Sequence, residues 1–572
     1  MKAGRKPPRF PLEGSGASPL ESLALAGLGV ALALAVVLWV AGELSGRIFG
    51  GAWPGLGLGE MGGVLVRLLH HPADPAAAWP PTGRGLMPGP LAFYGVLMAI
   101  VGPVASVGFL LLRRRRRSGA EEHANARWAR PRDLRPLRVQ RPEPGRLTLG
   151  LDDGGLIAAE PRQSVIVVGP VQTGKTSGFA IPAILEWQGP VVATSVKTDL
   201  LRETLTARRA ISGAKVWVYD PTGGTGIPKA CWNPLAACTT WQGAQRLASW
   251  LVSSARPAAA GIESAEFWYS AAARLLAPVL FAAASSGGTM AEVVRWIETQ
   301  ERDDVFAAID RVKEPGAETA FRAFTNLDDR TLSGIYATTG TVLSAYADPS
   351  VLESAFSSDL QAEKLLDGGS HTAYLCAPAH EQRRLQPLFS TLVQEIVAAA
   401  YERATAGPLD PPLLLVLDEC ANIAPLRELA TLAATGAGQG IQLVSVFQDM
   451  AQINAVYGRD RAPTIVTNHR AKVILSGIAD SATFEYVAKL LGDEEVHQIA
   501  STSGDGRQSK TESVAYRSLV PANVLREMHP GQGLLVYGHL APARIGLRPW
   551  FDDRRLRELA HVAPAELVGA ER

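Results

Sequence analysis

The stretch Ser164-Val-Ile-Val-Val-Gly-Pro-Val-Gln-Thr-Gly-Lys-Thr176 decides how the rest of the chain is read. Its first half is apolar and β-branched, the pattern of a buried strand. Its second half, Gly169 to Thr176, matches G-x-x-x-x-G-K-[ST] in full, and Ser177 to Leu185 continue as a helix. In that order a strand, a glycine loop and a helix start make a phosphate cradle. Backbone N–H groups curl around phosphate oxygens, and the helix N-terminus adds partial positive charge. The nucleotide-binding residues expected are therefore Gly169, Pro170, Val171, Gln172, Thr173, Gly174, Lys175, Thr176 and Ser177. Lys175 is expected to neutralise the β- and γ-phosphates of ATP, and Thr176 to place its hydroxyl on Mg²⁺.

Downstream, Leu413-Leu-Leu-Val-Leu-Asp418-Glu419 is an apolar run that ends in two acids. A buried strand would deliver both carboxylates to its C-terminal edge, where open α/β sheets bind ligands. Asp418 suits a hold on Mg²⁺, and Glu419 suits polarising an attacking water. The plainer reading, an acidic pair capping the next helix, loses ground once the phosphate loop is taken with it. Short apolar runs at Val191–Ser195, Lys215–Asp220, Ala373–Pro378, Gln442–Phe447, Val473–Gly477 and Leu534–Gly538 are further strands. Their spacing by helix-length segments predicts an α/β fold, a parallel sheet with helices on both faces. Gln448, at the end of its run, is expected to sense the γ-phosphate. Ser501 to Ser513 is polar and is expected to be a mobile loop.

Strand signals nearly vanish between Pro234 and Ser370, and helical periods take over at Ala265–Phe281, Met290–Glu298, Val305–Val312 and Ser333–Ala347. This predicts an all-α insertion over 235–370, with Pro278 as a kink. Phe267, Trp268 and Tyr269 fit a helix core better than a base-stacking surface.

The N-terminal end is of another kind. Ser22–Gly42 and Leu91–Leu112 carry no charge, and each is long enough to span a bilayer. Lys2, Arg5, Lys6 and Arg9 precede the first, Arg113 to Arg117 follow the second, and the loop between is balanced in charge. The positive-inside tendency then puts both termini in the cytoplasm. The loop, Glu43–Pro90, is expected to be loosely structured outside. Twelve arginines between Arg113 and Arg146 read as a basic linker drawn to anionic inner-membrane lipid. The expected organisation is an anchor over 1–112 with spans 22–42 and 91–112, a linker 113–150, a nucleotide-binding domain over 151–234 and 371–555, the insertion 235–370 and a tail 556–572.

Composition narrows the class. Hydrophobic residues are 47% and the net charge is +1, which excludes a mainly disordered chain. Four scattered cysteines, Cys231, Cys238, Cys376 and Cys420, exclude a disulfide scaffold and a cysteine-rich zinc site. Two spans offer no broken-helix midplane site for a small-molecule transporter.

Taken together, the two spans, the loop Gly169–Thr176, Trp232-Asn-Pro-Leu235, an insertion opening with Glu266-Phe-Trp268, Asp418-Glu-Cys-Ala-Asn-Ile-Ala-Pro425 and Gln448-Asp-Met-Ala-Gln452 resemble the TraG/TraD-type coupling proteins of type IV secretion. The resemblance covers about residues 150–550. It implies a RecA-like P-loop NTPase that docks as a homo-hexamer on the inner membrane. It also implies partners: a relaxase-bound single DNA strand or protein effectors, and the channel components that receive them. Lys175, Glu419 and Gln448 would carry the chemistry, and Thr176 and Asp418 would hold the metal. Many relatives carry an arginine where this chain has Ala437, so a trans-acting cation would come from elsewhere, with Arg470 as one candidate, or be absent. Absence implies slow basal turnover. Two alternatives are a DNA translocase without a secretion channel and a nucleotide-binding adaptor that recruits proteins.

Overall fold

In the computed structural model, residues 19–120, 125–153, 155–195, 198–256, 263–504 and 507–561 are described. The cations Lys2 to Arg9 lie outside them. The chain divides into two compact units, Met1–Ala124 and Asn125–Arg572.

The first unit holds two long helices, Pro19–Phe49 and Pro90–Ala120, which contain the expected spans. Two described helices are long and apolar enough to cross a membrane, Leu32–Phe49 and Ala265–Ser285, and the latter is largely buried in the second unit. Leu32, Leu34, Leu91 and Met98 expose apolar surface on these two helices. The connecting loop is more ordered than its Gly/Pro composition suggests. It folds helices at Met61–His70, Pro75–Ala78 and Pro81–Arg84 over a small core that includes Leu38, Ala41, Met61, Val64, Trp79 and Phe93. Gly42 makes this possible, because a Cβ there would fall 2.4 Å from the Trp79 ring.

The second unit is built on a twelve-stranded mixed sheet. Three short strands come first, β1 (Arg138–Val139), β2 (Thr148–Asp152) and β3 (Gly155–Ala158). Next are β4 (Val165–Val168), β5 (Val191–Ser195), β6 (Val216–Tyr219), β7 (Thr372–Cys376), β8 (Leu413–Leu417), β9 (Ile441–Phe447) and β10 (Ala471–Leu475). β11 (Asp493–Gly504) and β12 (Arg507–Ser518) form a separate hairpin, and β13 (Gln532–Tyr537) and β14 (Ala543–Gly546) complete the large sheet. Its order is β1-β3-β2-β14-β13-β10-β4-β9-β8-β5-β7-β6. From β10 to β6 every pairing is parallel, as expected. From β10 outward through β13 the pairings turn antiparallel. The run around Leu534 is therefore a strand, but one opposed to its neighbour.

Both faces of the parallel half are covered, which is why its strands read as unbroken apolar runs. Side chains alternate between two cores. Ile166, Val168, Leu413, Leu415 and Leu417 join the core shared with the helical insertion. Val165, Val167, Leu414 and Val416 join the core on the opposite face. The insertion itself is helical from Pro234 to Leu365, and the helix Glu263–Ser285 continues through Pro278. Trp268 and Tyr269 pack against the core, whereas Phe267 is 54% exposed.

Three expectations are corrected here. The arginine-rich segment does not stay a linker to residue 150. From Asn125 onward it belongs to the second unit, with Leu134, Leu137, Leu147 and Leu149 buried and β1 and β2 in the sheet. The Ser501–Ser513 segment is not an unstructured loop either, because its described residues pair in the β11–β12 hairpin from Asp493↔Ser518 to Gly504↔Arg507. The tail also begins later than expected. Helix Arg554–Ala560 buries Leu556, and residues 562–572 lie outside the described part.

Candidate nucleotide site

β4 is buried at all four positions and sits between β9 and β10, so the loop that leaves it is anchored on both sides. The Gly169 N–H donates to Phe447 O at 3.1 Å as the turn begins. Gly169 has no room for a side chain, since a Cβ would lie 2.7 Å from Leu475 Cβ and 2.9 Å from Thr173 Oγ1. Gln172 and Gly174 take positive φ, +65° and +90°. A left-handed non-glycine residue is a strained choice, and such strain gathers at ligand clamps. Thr173 Oγ1 donates to Pro170 O at 2.8 Å and ties the loop across its base. Lys175 Nζ donates to the carbonyls of Gly169 and Pro170, so the ammonium is held over the loop. Thr176–Ala180 form a single π-helical turn that runs into helix Ile181–Glu186.

β8 delivers the acidic pair two strands away in the sheet. Thr176 Oγ1 donates to Asp418 Oδ2 at 3.0 Å, although the two residues are 242 positions apart. Thr194 Oγ1, from β5, donates to Asp418 O at 3.1 Å. Glu419 turns the chain with φ +54°, and Asn422 Nδ2 donates to its Oε2 at 2.8 Å. Pro170, Val171, Gln172, Gly174, Lys175, Thr176, Ser177, Asp418 and Glu419 line one cleft of about 230 Å³. Gly169 and Thr173 stand behind its wall and shape it.

Burial pushes the Asp418 carboxyl up to about 6, against a bond from Thr176 that favours the charged form, with Glu419 and Asp199 adding to the rise. Asp418 Oδ1 is buried and has no hydrogen-bond partner among the described residues. A desolvated carboxylate oxygen next to a threonine hydroxyl is a donor set that fits a hard divalent cation such as Mg²⁺.

Asp199 is the lining residue that sequence reasoning missed. It opens the helix Thr198–Arg209, and the segment after β5 is where a parallel sheet adds ligand contacts. The C-terminal segment was missed too. The Trp550 N–H donates to Ser177 O at 3.0 Å, and Leu547 packs where Cβ atoms on Gly174 or Gly178 would stand. Gln448 follows β9 beside the loop but is not among the residues lining the cleft. Its N–H donates to Gln452 Oε1, and Asp449 caps the helix Met450–Tyr457, so the Gln448–Gln452 motif organises that turn. Trp232 is buried and donates to Glu395 Oε2 at 3.2 Å, which ties the segment leading into the insertion to helix Gln382–Arg403. Arg470 pairs with Glu160 at 3.0 Å and lies over the Tyr537 ring. Ala437 sits in a tight turn at Gly436–Gln439.

Comparison with known proteins gives the family and the fold. Residues 123–567 match the family described as type IV secretory system conjugative DNA transfer. The chain is 25% identical to the conjugal transfer protein TraG of Agrobacterium fabrum over 398 residues, covering 67% of this chain and 59% of that protein. It is 25% identical to TraG of Escherichia coli, covering 78% and 79%, and 25% identical to VirD4 of Rhizobium rhizogenes, covering 79% and 70%. Its fold is shared with the conjugative coupling protein TrwB, with a TM-score of 0.57 at 20% identity over 74% of this chain and 92% of that one. TrwB has also been solved in complex with ADP and Mg²⁺. A phosphate loop bonded to a buried strand-end aspartate, on a TrwB-like sheet with an all-α insertion, thus meets a family match over most of the chain: this protein belongs to the type IV coupling proteins of conjugative DNA transfer.

Proposed function

We propose that this protein is a membrane-anchored ATPase that passes a single DNA strand, delivered with its relaxase, to a type IV secretion channel. The observation that carries the reading is the Thr176–Asp418 bond, which unites loop and acidic strand in one cleft. ATP would lie with its phosphates along Gln172 to Ser177, where backbone N–H groups and Lys175 meet developing charge. Thr176 and Asp418 would hold Mg²⁺, which supplies charge neutralisation on the phosphate oxygens when bound. Glu419 would orient the attacking water and take its proton, held for that role by Asn422. Gln448 would act from the neighbouring strand end as γ-phosphate sensor. The exposed apolar surface of the two anchor helices supports a multi-pass anchor in the plasma membrane, with the motor cytoplasmic. A homo-hexamer is the assembly proposed, and protein effectors are a second cargo the family reading admits.

The test is ATP turnover by the purified protein with and without single-stranded DNA. Stimulation by DNA, abolished by Lys175→Ala, supports the proposal. A Lys175→Ala protein that retained full DNA transfer in a mating assay would favour a non-motor adaptor instead.

A further inference from the structure

A second cleft, of about 660 Å³, lies between the helical insertion and the sheet domain and shares no lining residue with the nucleotide cleft. Five arginines line it, Arg256, Arg383, Arg384, Arg427 and Arg461, and no carboxylate does. Two of them are engaged. Arg384 bonds Glu381, Asp348 and the Ala345 carbonyl, and Arg256 lies 3.7 Å from Glu266. Arg383, Arg427 and Arg461 are exposed and have no ion-pair partner among the described residues. They come from three different segments of the chain, which the fold brings to one concavity.

Like charges held together in a concave site focus a positive potential that an anion relieves. The guanidinium fork matches phosphate oxygens, and the serine and threonine hydroxyls of the lining add donors. Three cations on three segments suit successive phosphates of a chain better than one phosphate. The cleft presents cations and hydroxyls rather than a row of stacking rings, so it would hold the backbone and leave bases unread.

The wall of this cleft is also the back of the catalytic turn. Ala421, two residues past Glu419, lines it. So does Gln386, whose Nε2 lies 3.4 Å from the carbonyls of both Ala421 and Asn422. Asn422 in turn holds Glu419. We propose that this cleft grips the phosphate backbone of a single nucleic-acid strand, and that the turn after Asp418 relays its occupancy to Glu419. The proposal rests on the strand-translocating reading above and gives it a location and a coupling route. Gln386 is a positioning residue in it.

The experiment uses the full-length protein in detergent. Binding of a fluorescent oligothymidylate is followed by anisotropy across a salt series, and ATP turnover is measured with and without the oligonucleotide. The variants are Arg383→Ala/Arg427→Ala/Arg461→Ala, the same three sites changed to Lys, and Gln386→Ala. Arg384 is left intact because its bonds support the Ala345–Asp348 turn. Losing three phosphate contacts should weaken binding at least about tenfold and flatten the log–log salt slope by about 2, at roughly 0.7 per contact for a single strand. The lysine variant should keep most of the slope, since charge is retained. Gln386→Ala should bind the strand as the parent does but lose at least about half of the stimulation. The melting midpoint and affinity for a nonhydrolysable ATP analogue report on folding.

A triple alanine variant with the parent's slope and stimulation overturns the inference and leaves the DNA-coupled ATPase standing. A parent protein that neither binds the strand nor responds to it overturns both. Loss of DNA-free turnover with unchanged strand affinity also overturns it, and would place these arginines at a neighbouring subunit's nucleotide. Unchanged strand affinity with loss of binding to an acidic peptide overturns it in favour of a protein cargo.

Discussion

His469 gives the sharpest quantitative test of the packing around the nucleotide cleft. It is fully buried between helix Ala462–Asn468 and β10. Ile465 O lies 2.7 Å from Nδ1 and can only accept, so Nδ1 carries the proton and Nε2 accepts from Ser445 Oγ at 3.0 Å. Burial holds the imidazolium form off, partly opposed by the Ile465 carbonyl and reinforced by Lys472, and the group falls from 6.5 to about 4. For a base whose folded value is depressed, stability is fully present above the ordinary value and is lost as pH falls. The window therefore runs from 6.5 down to about 4, and at about 1.4 kcal/mol per pH unit the loss amounts to about 3 kcal/mol. His469→Gln removes the titration while keeping a polar group. At pH 8 it should cost about 1 kcal/mol from imperfect hydrogen bonding. Towards pH 4 the order should reverse. Whole-chain unfolding of a protein this size is not two-state, so the assay is amide hydrogen exchange over β9 and β10, comparing parent and variant at each pH. The ratio of their opening constants should swing by about two decades between pH 8 and 4. A ratio that stayed constant would refute the reasoning.

Three further outcomes are expected. Glu419→Gln should bind ATP as the parent does while kcat falls by about 10²–10⁴, the range for losing a general base; undiminished turnover would remove Glu419 from the chemistry. Gly169→Ala forces a methyl to 2.7 Å from Leu475 Cβ, which should cost about 1–3 kcal/mol in melting experiments and weaken ATP binding. Arg208 donates to the Trp187, Gly189 and Ser370 carbonyls and to Thr372 Oγ1 from a fully buried position, so Arg208→Met should destabilise the second unit by on the order of 3 kcal/mol. An unchanged melting temperature in that variant would show the four acceptors finding other partners.

Much of the sheet domain was legible from local pattern. The runs at Ser164, Val191, Leu413 and Gln442 each became central strands because a strand buried on both faces must be apolar throughout, and that signal is local. The phosphate loop and the acids at 418 and 419 were legible for the same reason: backbone curvature and a strand-end carboxylate are coded within a few neighbouring residues. Other features depend on partners far away in the chain. β1, β2 and β3 are short and lie among arginines, and they became strands only by pairing beyond β14. The polar β11–β12 hairpin has no apolar alternation to announce it. Asp199 had no motif of its own, and Gln448 had a motif whose clearest role proved to be organising a turn. What the sequence by itself determined was the chemistry available and the parallel half of the sheet. Tertiary structure alone decided that Thr176 meets Asp418 across 242 residues and that three arginines without an ion-pair partner among the described residues face one cleft, because nonlocal proximity is set by how the layers pack, which no local period records.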